Sequence, residues 1–492
     1  MRKAAVLFSL ILVVCCGRIP HNATLSDALP DMAPDYSETV IPRNIAPLCF
    51  NVSGADKCVT VFSNGTYQYI AKGNSVSIPM RKWRRLLDGA SVSVCVFTEN
   101  GGKWTRHREF RMTVSDQIDR YVSYRLIPPS YQYFGQMSLR QRDLTSFNER
   151  LIYSNAMGQD RDKEQCVNCH HFRNYKTDNM QFHVRIFNGG TILVRDGEPQ
   201  KINLKTDSTL SAGVYPAWHP THNLIAYSVN NTTQRFHTAD RDRVEVLDIE
   251  SDLILYDIDN NEVSIIENDS DQFECFPAWA PDGRTLYYVS AGLAVPDSVD
   301  RAEYLYANYD HFHYDLYSKS FDPDTGKWGE PQMVLDASSI NRSITLPRVS
   351  PDGRYLVFTM ARHGVFHIWH TDADLYMIDL RAGTVRPLSE INSNEVESYH
   401  SWSSNGKWMV FSSRRGDSNH TRLYLTHLES DGHFSKPFPV PQEDPERDAE
   451  MLMSYNIPEF TVEPVGITAH KFGRLIRKSH ARGVTFRPTS KD

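Results

Sequence analysis

Two cysteines and a histidine near the middle of the first half of the chain form a five-residue motif that can do redox chemistry. Cys166, Cys169 and His170 read C-x-x-C-H, which is the spacing of a c-type haem attachment site. The two thiols can each add to one vinyl group of a porphyrin, and His170 can bind the iron as its proximal ligand. The motif therefore predicts haem c, with its iron, as a covalent cofactor.

A six-coordinate haem needs a second ligand on the opposite face of its iron. Met180 and His183 follow His170 within the reach of a short loop. A methionine in this position raises the reduction potential of the haem. We rank Met180 ahead of His183, with an open or water-ligated iron third.

Other chemistry remains open for the same residues. A zinc ion could use Cys166 and Cys169 with two of His170, His171 and His183. The thiols could also form a disulfide or stay unligated. A thioredoxin-type pair is disfavoured, because the motif is not surrounded by the alternating strands and helices that such pairs require.

The N-terminus has the pattern of an export signal. Arg2 and Lys3 precede an apolar run over 4–14, and Cys15 and Cys16 follow it. This is the layout of a secretory signal, and the run is shorter than the roughly 20 residues of a membrane span. We predict a lipoprotein signal peptide over 1–16, with Cys15 or Cys16 acylated and anchoring the chain to the membrane. An ordinary cleaved signal peptide is the alternative, and either one predicts the outer membrane or periplasm, where haem is attached to such motifs.

The composition fits a protein of two or three soluble domains. The chain has 492 residues, of which 40% are hydrophobic and 23% are charged. Its net charge of −7 is not relieved by any basic stripe, which argues against nucleic acid as a partner. Its 24 tyrosines and 23 phenylalanines favour β structure.

An internal repeat begins near residue 213. Each copy has a short apolar strand, a turn and a returning apolar strand, and the turn is Pro-Asp-Gly or Asn-Gly in three of the four. The copies are centred on Trp218, Trp279, Val349 and Trp402. Glycine in such a turn supplies the positive φ that a tight hairpin needs. The spacing between copies predicts four-stranded blades with long loops.

These segments resemble the blade signature of the TolB-like, or PD40, β-propeller family. The cleanest copies are Pro277 to Tyr288 and Pro347 to Phe358, whereas Pro216 to Tyr227 lacks the Asp-Gly turn. The resemblance implies a propeller over about 185–465 and a protein or peptide ligand. With the haem motif, the chain is similar to Bacteroidetes-type lipoproteins that combine such a motif with TolB-like repeats. No G-x-S-x-G nucleophile motif occurs in the sequence.

We therefore predict an all-β protein, with a small β-sandwich ahead of a propeller of six blades. The segments are a tether over 17–40, an immunoglobulin-like sandwich over 41–118, a connecting segment with the haem motif over 119–190, the propeller over 191–470 and a tail over 471–492. Strands from both ends of the chain are expected to close the ring. Two of Cys49, Cys58 and Cys95 could pair, although buried free thiols are equally consistent with the sequence.

Three classes of function follow from these features. The first is a haem lipoprotein of the cell envelope that transfers electrons or senses redox state, with the propeller as a docking scaffold for a partner protein. The second is a non-haem binding protein whose propeller recognises a protein or glycan. The third, which the sequence favours least, is an enzyme with histidines around the propeller channel: His219, His237, His311, His313, His363, His367, His370 and His400.

Overall fold

The computed structural model describes residues 19–128, 136–158, 160, 163–292, 294–296 and 298–488. The part of the chain that it describes is almost entirely β. None of its helices is long and apolar enough to cross a membrane. Cys15 and Cys16 lie outside the described residues.

The N-terminal unit consists of two sheets that share one apolar core. Its ten strands and one helix are β1 (Thr24–Leu25), β2 (Met32–Ala33), β3 (Val40–Pro42), β4 (Phe50–Val52), β5 (Lys57–Ser63), β6 (Gln68–Lys72), β7 (Ser75–Val76), α1 (Met80–Leu86), β8 (Ser91–Asn100), β9 (Lys103–Arg106) and β10 (Phe110–Ser115). The strands β2, β4 and β7 form the smaller sheet, and the other seven form the larger one. Val52 and Val76 of the small sheet and Val92 and Val94 of the large sheet are buried in the same cluster.

The predicted tether is partly built into this unit. β1 pairs with β9, and β2 pairs with β4. Cys49, Cys58 and Cys95 are buried free thiols, so the disulfide that the sequence allowed is not formed. The apolar surroundings of these thiols explain why burial raises the pKa of each.

Six further sheets follow, and each contains four strands that pair antiparallel with their neighbours. Their strands and helices are β11 (Tyr121–Ile127), β12 (Ser138–Asp143), β13 (Glu149–Ser154), β14 (Gln165–Arg173), β15 (Lys176–Ile186), β16 (Gly190–Arg195), β17 (Glu198–Asn203), β18 (Val214–Trp218), β19 (Leu224–Phe236), β20 (Val244–Asp257), β21 (Glu262–Glu267), β22 (Gln272–Trp279), β23 (Thr285–Gly292), α2 (Arg301–Ala307), β24 (Asp315–Asp322), β25 (Lys327–Trp328), β26 (Gln332–Leu335), β27 (Ser343–Val349), β28 (Tyr355–Ala361), β29 (Asp374–Asp379), β30 (Thr384–Pro387), β31 (Glu397–Trp402), β32 (Trp408–Ser413), β33 (Arg422–His427), β34 (Phe438–Pro439), α3 (Arg447–Glu450), β35 (Ser454–Thr461), α4 (Ala469–Lys478), β36 (Arg482–Gly483) and β37 (Thr485–Phe486). We call the sheets 1 to 6, with first strands β35, β14, β18, β22, β27 and β31.

The first strands lie side by side in a cycle. Each contacts the first strand of the next sheet, from β14 through β18, β22, β27 and β31 to β35, and β35 also contacts β14. Sheet 1 joins the two ends of the chain, because β35 pairs with β11. Sheets of this kind, radially repeated around a centre, are the architecture of a β-propeller.

The segment predicted as a connector, 119–190, is part of this architecture. β11 to β13 complete sheet 1, and the haem motif lies on β14, the first strand of sheet 2. The predicted tail is also built in: Phe472 and Ile476 of α4 are fully buried, and β36 and β37 extend sheets 2 and 3. These parts carry no copy of the Pro-Asp-Gly repeat, which is why the sequence pattern missed them.

The four repeat positions are structurally equivalent. Trp218, Trp279, Val349 and Trp402 each end the first strand of their sheet. Gly283 and Gly353 adopt φ of 68° and 70° in the turns that follow. The indole of Trp279 donates a hydrogen bond of 3.1 Å to the Ala217 carbonyl of the preceding sheet, and Trp402 donates one of 3.3 Å to Arg348.

We predict that Trp279→Ala lowers the free energy of unfolding by about 3–5 kcal/mol, since it removes a buried aromatic side chain between two sheets. Trp279→Phe is the matched control, because it keeps an apolar ring and removes the hydrogen bond to Ala217, which costs about 1 kcal/mol. Urea denaturation measures the free energy of unfolding of both variants. If both variants lost the same small amount of stability, the packing role of Trp279 would be contradicted.

Candidate functional site

A backbone irregularity repeats in the first strand of all six sheets. In each strand one residue that is not glycine has a positive φ and the register with the second strand shifts there: Cys169 (50°), Tyr215 (45°), Phe276 (54°), Leu346 (54°), Tyr399 (47°) and Ile457 (53°). These are β-bulges, which redirect side chains at functional sites and around closed sheets. The haem motif therefore occupies the place that aromatic-proline pairs occupy in sheets 3 and 4.

The bulge brings the two motif cysteines to one cavity. Three positions along a regular strand would place Cys166 and Cys169 on opposite faces. The bulge inserts an extra residue between Asn168 and His171, and both cysteines line a cavity of about 740 Å³ at one end of the cycle of first strands. We call it the cysteine cavity. Its volume is within the usual range of cofactor sites.

The wall of the cysteine cavity is apolar and cationic. Val214, Tyr215, Tyr399 and Ile457 supply part of the wall. The cationic groups are Arg125 and Arg185, and none of the described residues that line the cavity is an aspartate or glutamate.

The two arginines lie close to the thiol of Cys166. Burial raises the pKa of Cys166, and the two guanidinium charges oppose that shift. Arg125 donates a hydrogen bond of 2.5 Å from Nη1 to Asn168 Oδ1, while its buried Nε has no partner. The cavity therefore favours an anionic ligand.

His170 follows Cys169 directly and is buried, with 3% of its surface exposed. The backbone of Ser123 and of Ile457 lies close enough to the ring to act on its pKa, although neither contact has the geometry of a full hydrogen bond. Burial, together with the charge of Arg125, lowers its pKa to about 3, so the ring is neutral at physiological pH and can bind a metal. His170 does not line the cysteine cavity in this structure.

His400 occupies the equivalent bulge position in sheet 6 and provides an internal comparison. It follows Tyr399 as His170 follows Cys169, whereas proline stands there in the other four sheets. His400 Nε2 is 2.9 Å from the Val357 carbonyl, a hydrogen bond that anchors its ring. His170 instead contacts the backbone of Ile457 and Ser123 in sheet 1, with poorer hydrogen-bond geometry.

The structure separates the two residues predicted to bind the opposite face of the iron. His183 pairs with Asn168 in the neighbouring strand and lines the cysteine cavity. Its Nδ1 is 2.9 Å from Thr191 Oγ1, and burial lowers its pKa to about 3. Met180 is fully buried in an apolar cluster with Phe172 and Phe182, against which Cys166 packs, and it is not among the residues that line the cavity. The ranking of Met180 ahead of His183 stays a prediction.

Zinc has no preformed site at the motif. Among the described residues, the motif cysteines and histidines do not bring three ligand atoms within 4.8 Å of one another. Cys166 and Cys169 are free thiols. A tetrahedral zinc site needs four ligands at about 2.0–2.3 Å from the metal, so the motif would have to rearrange to form one.

The histidines proposed for an enzyme do not surround one channel. His237, His311, His313 and His363 line a separate cavity of about 450 Å³. His367 is buried and hydrogen-bonded, and His219 packs against Trp279. The sequence did not indicate that Glu245 lies beside His363 and His370.

Comparison with known proteins gives distant likenesses only. TolB from Acinetobacter baumannii matches 78% of this chain and 85% of its own, at 12% identity and a TM-score of 0.43. A puromycin-hydrolysing peptidase from Mycobacterium tuberculosis matches 86% of this chain and 57% of its own, at 12% identity and a TM-score of 0.36. The β-propeller domain of Cps50 (Swd1) from Myceliophteria thermophila matches 75% of this chain and 96% of its own, at 11% identity and a TM-score of 0.28.

No protein-family model and no curated protein matches the chain.

Proposed function

We propose that the protein is a c-type haem protein of the cell envelope that exchanges electrons with a partner protein. The observation that carries the proposal is the bulge at Cys169. Around this bulge, Cys166 and Cys169 both line one cavity of about 740 Å³, and His170 follows as a buried imidazole with no well-aligned hydrogen bond.

The residues present fit such a group. Cys166 and Cys169 would hold it through thioether bonds, His170 would bind its iron, and His183 is the best-placed ligand for the other face. Arg125 and Arg185 would neutralise its propionate carboxylates. None of the described residues that line the cavity is acidic, so no side chain there would repel those carboxylates. A haem bound there supplies a one-electron couple at neutral pH.

The mouth of the cavity suits a protein partner. Ile186 is 64% exposed and Phe236 is 53% exposed, and both belong to the cavity wall. Large exposed apolar side chains beside a binding site are typical of docking surfaces. We further propose that sheets 1 to 6 are the six blades of a closed TolB-like propeller that presents this mouth as a rigid surface.

The visible absorption spectrum of the purified protein tests the proposal. With a working cytochrome c maturation system, we expect the Soret and α bands of a c-type haem. We also expect a haem-stained band that persists on a denaturing gel. A colourless protein from the same cells would contradict the proposal.

Anchoring by lipid at Cys15 or Cys16 is part of the proposed localisation. We expect the wild-type chain to incorporate labelled fatty acid and to partition into detergent, and Cys15→Ser with Cys16→Ser to abolish both. A mature chain that starts beyond Gly17 and partitions into the aqueous phase would contradict the lipid anchor.

A second candidate is a binding protein for a protein or glycan, and one observation favours it. The opposite end of the cycle of first strands has a recess of about 400 Å³ lined by Trp218, Trp279 and Trp402. The buried indole nitrogen of Trp218 has no partner, and aromatic side chains are common in such sites. Quenching of tryptophan fluorescence by envelope glycans or peptides would support this candidate. If none of the tested glycans and peptides quenched the fluorescence, the result would count against it.

A further inference from the structure

A second cluster of metal-ligating side chains contains none of the residues of the haem motif. Glu245 lies on β20, and His363 and His370 lie in the loop between β28 and β29. One ligand atom of each lies within 4.8 Å of the other two. His370 Nε2 is 2.7 Å from Glu245 Oε1, and His363 Nδ1 is 4.0 Å from the same oxygen.

The loop is built to hold the two histidines against Glu245. Gly364 adopts a φ of 77°, and a Cβ there would lie 3.4 Å from both Glu245 Oε2 and His370 Cε1. Its carbonyl accepts a hydrogen bond of 2.6 Å from Ser343 Oγ. His367, between the two candidate ligands, is held at Nδ1 by Thr345 Oγ1 at 3.0 Å and serves the loop itself.

The candidate ligand atoms are buried and are paired mainly with one another. The side chains of Glu245 and His370 are each 1% exposed, and His370 Nε2 pairs with Glu245 Oε1 at 2.7 Å. Glu245 Oε2 and His363 Nδ1 have no hydrogen-bond partner. Because a buried carboxylate is costly unless it is paired, a bound cation would stabilise the cluster by engaging these remaining atoms as well.

One side of the cluster is open to a cavity. Glu245 and His363 line the cavity of about 450 Å³ that also contains Asp240, Asp242 and Asp310. Its carboxylates attract cations, and Arg362 reduces that charge only in part by pairing with Asp242 at 3.2 Å.

We propose that Glu245, His363 and His370 bind a divalent transition metal of the zinc class, with an open coordination position toward this cavity. Two histidines and one carboxylate with a free position are the ligand set of catalytic zinc and non-haem iron sites. At zinc–ligand distances of about 2.1 Å, tetrahedral ligand atoms lie about 3.4 Å apart. The observed separations of 2.7 and 4.0 Å bracket that value.

Calorimetric titration of the chelator-treated full chain with zinc chloride tests the proposal. We expect one zinc per chain, with affinity lowered at least about 100-fold in His363→Ala and in Glu245→Gln, because each removes a ligand. His311→Ala is the matched control, since His311 lines the same cavity, is exposed and belongs to no ligand set. Cobalt bound in place of zinc should show d–d absorption bands that His363→Ala abolishes.

Two results would overturn the metal site. One is a wild-type chain that binds no zinc. The other is binding that survives His363→Ala and Glu245→Gln but disappears in Cys166→Ser with Cys169→Ser, which would place the metal at the haem motif. Glu245→Gln nearly preserves the side-chain shape, and thermal unfolding of each variant checks its fold. Covalent haem should be unchanged in His363→Ala, so the two proposals fail independently.

Discussion

Under the proposed function, replacing Cys166 and Cys169 together by serine should abolish covalent attachment of haem. Serine cannot form a thioether, and both thiols line the single cavity proposed to hold the group. The effect is expected to be all or none on a haem-stained denaturing gel. Protein amount on the same gel separates failed attachment from degradation.

Single substitutions in the motif are expected to have partial effects on haem attachment and iron ligation. Cys169→Ser should leave at most one thioether bond, and His170→Ala should abolish the low-spin spectrum by removing the iron ligand. Cys95→Ser is the matched control, because Cys95 is also a buried free thiol but lies in the N-terminal unit. Loss of haem in Cys95→Ser to the same extent as in Cys169→Ser would contradict a specific role for the motif.

Substitution of His183 and of Met180 tests which of them binds the second face of the haem iron. His183→Ala should change the low-spin spectrum, because His183 lines the cysteine cavity. Met180→Leu should leave the spectrum unchanged, because Met180 is buried among apolar side chains. The reverse pattern would show that the haem binds elsewhere than in this cavity.

A chain that ends at residue 450 will not fold stably. It lacks β35, the first strand of sheet 1, which is the pairing partner of β11. It also loses Tyr455 and Phe460, which are 3% and 1% exposed in the largest core cluster. Removal of each such ring costs about 3–5 kcal/mol, and the sum approaches the whole stability of a domain.

A chain that ends at residue 466 is the control for this truncation. It keeps β35 but lacks α4, β36 and β37, so we expect it to fold with a lowered midpoint of thermal unfolding. Phe460→Ala in the full chain should lower the free energy of unfolding by about 3–5 kcal/mol. If both truncated chains unfolded with the same midpoint as the full chain, β35 would not close the cycle of sheets.

The sequence predicted sheets 3 to 6, whose first two strands carry the repeated apolar pattern. Trp218, Trp279 and Trp402 take equivalent places because each ends a first strand. In the copies of Trp279 and Trp402 the strands are visible as apolar residues around a Gly turn, and in the copy of Trp218 the apolar pattern alone marks them. The strands β11 to β15 were predicted as a connecting segment, because no copy of the Gly turn marks them. In sheet 2, Asn174 and Tyr175 supply the positive φ instead.

The C-x-x-C-H motif could be identified in the sequence, but the residues that lie around it in space could not. The six bulges are a property of the backbone, since residues as different as Cys169, Leu346 and Ile457 adopt the same positive φ. The register of the β14–β15 hairpin places His183 opposite Asn168, a pairing that the sequence pattern did not indicate. Glu245 joins His363 and His370 only through long-range packing, which no local pattern reveals.

The mass of the peptide that contains Cys166 to His170 tests the central claim most directly. The protein would be purified from the envelope of cells with an active cytochrome c maturation system, digested, and measured by mass spectrometry. The proposal predicts one haem on this peptide, bound through both cysteines. Recovery of the peptide with two unmodified thiols, or with a disulfide between Cys166 and Cys169, would contradict it.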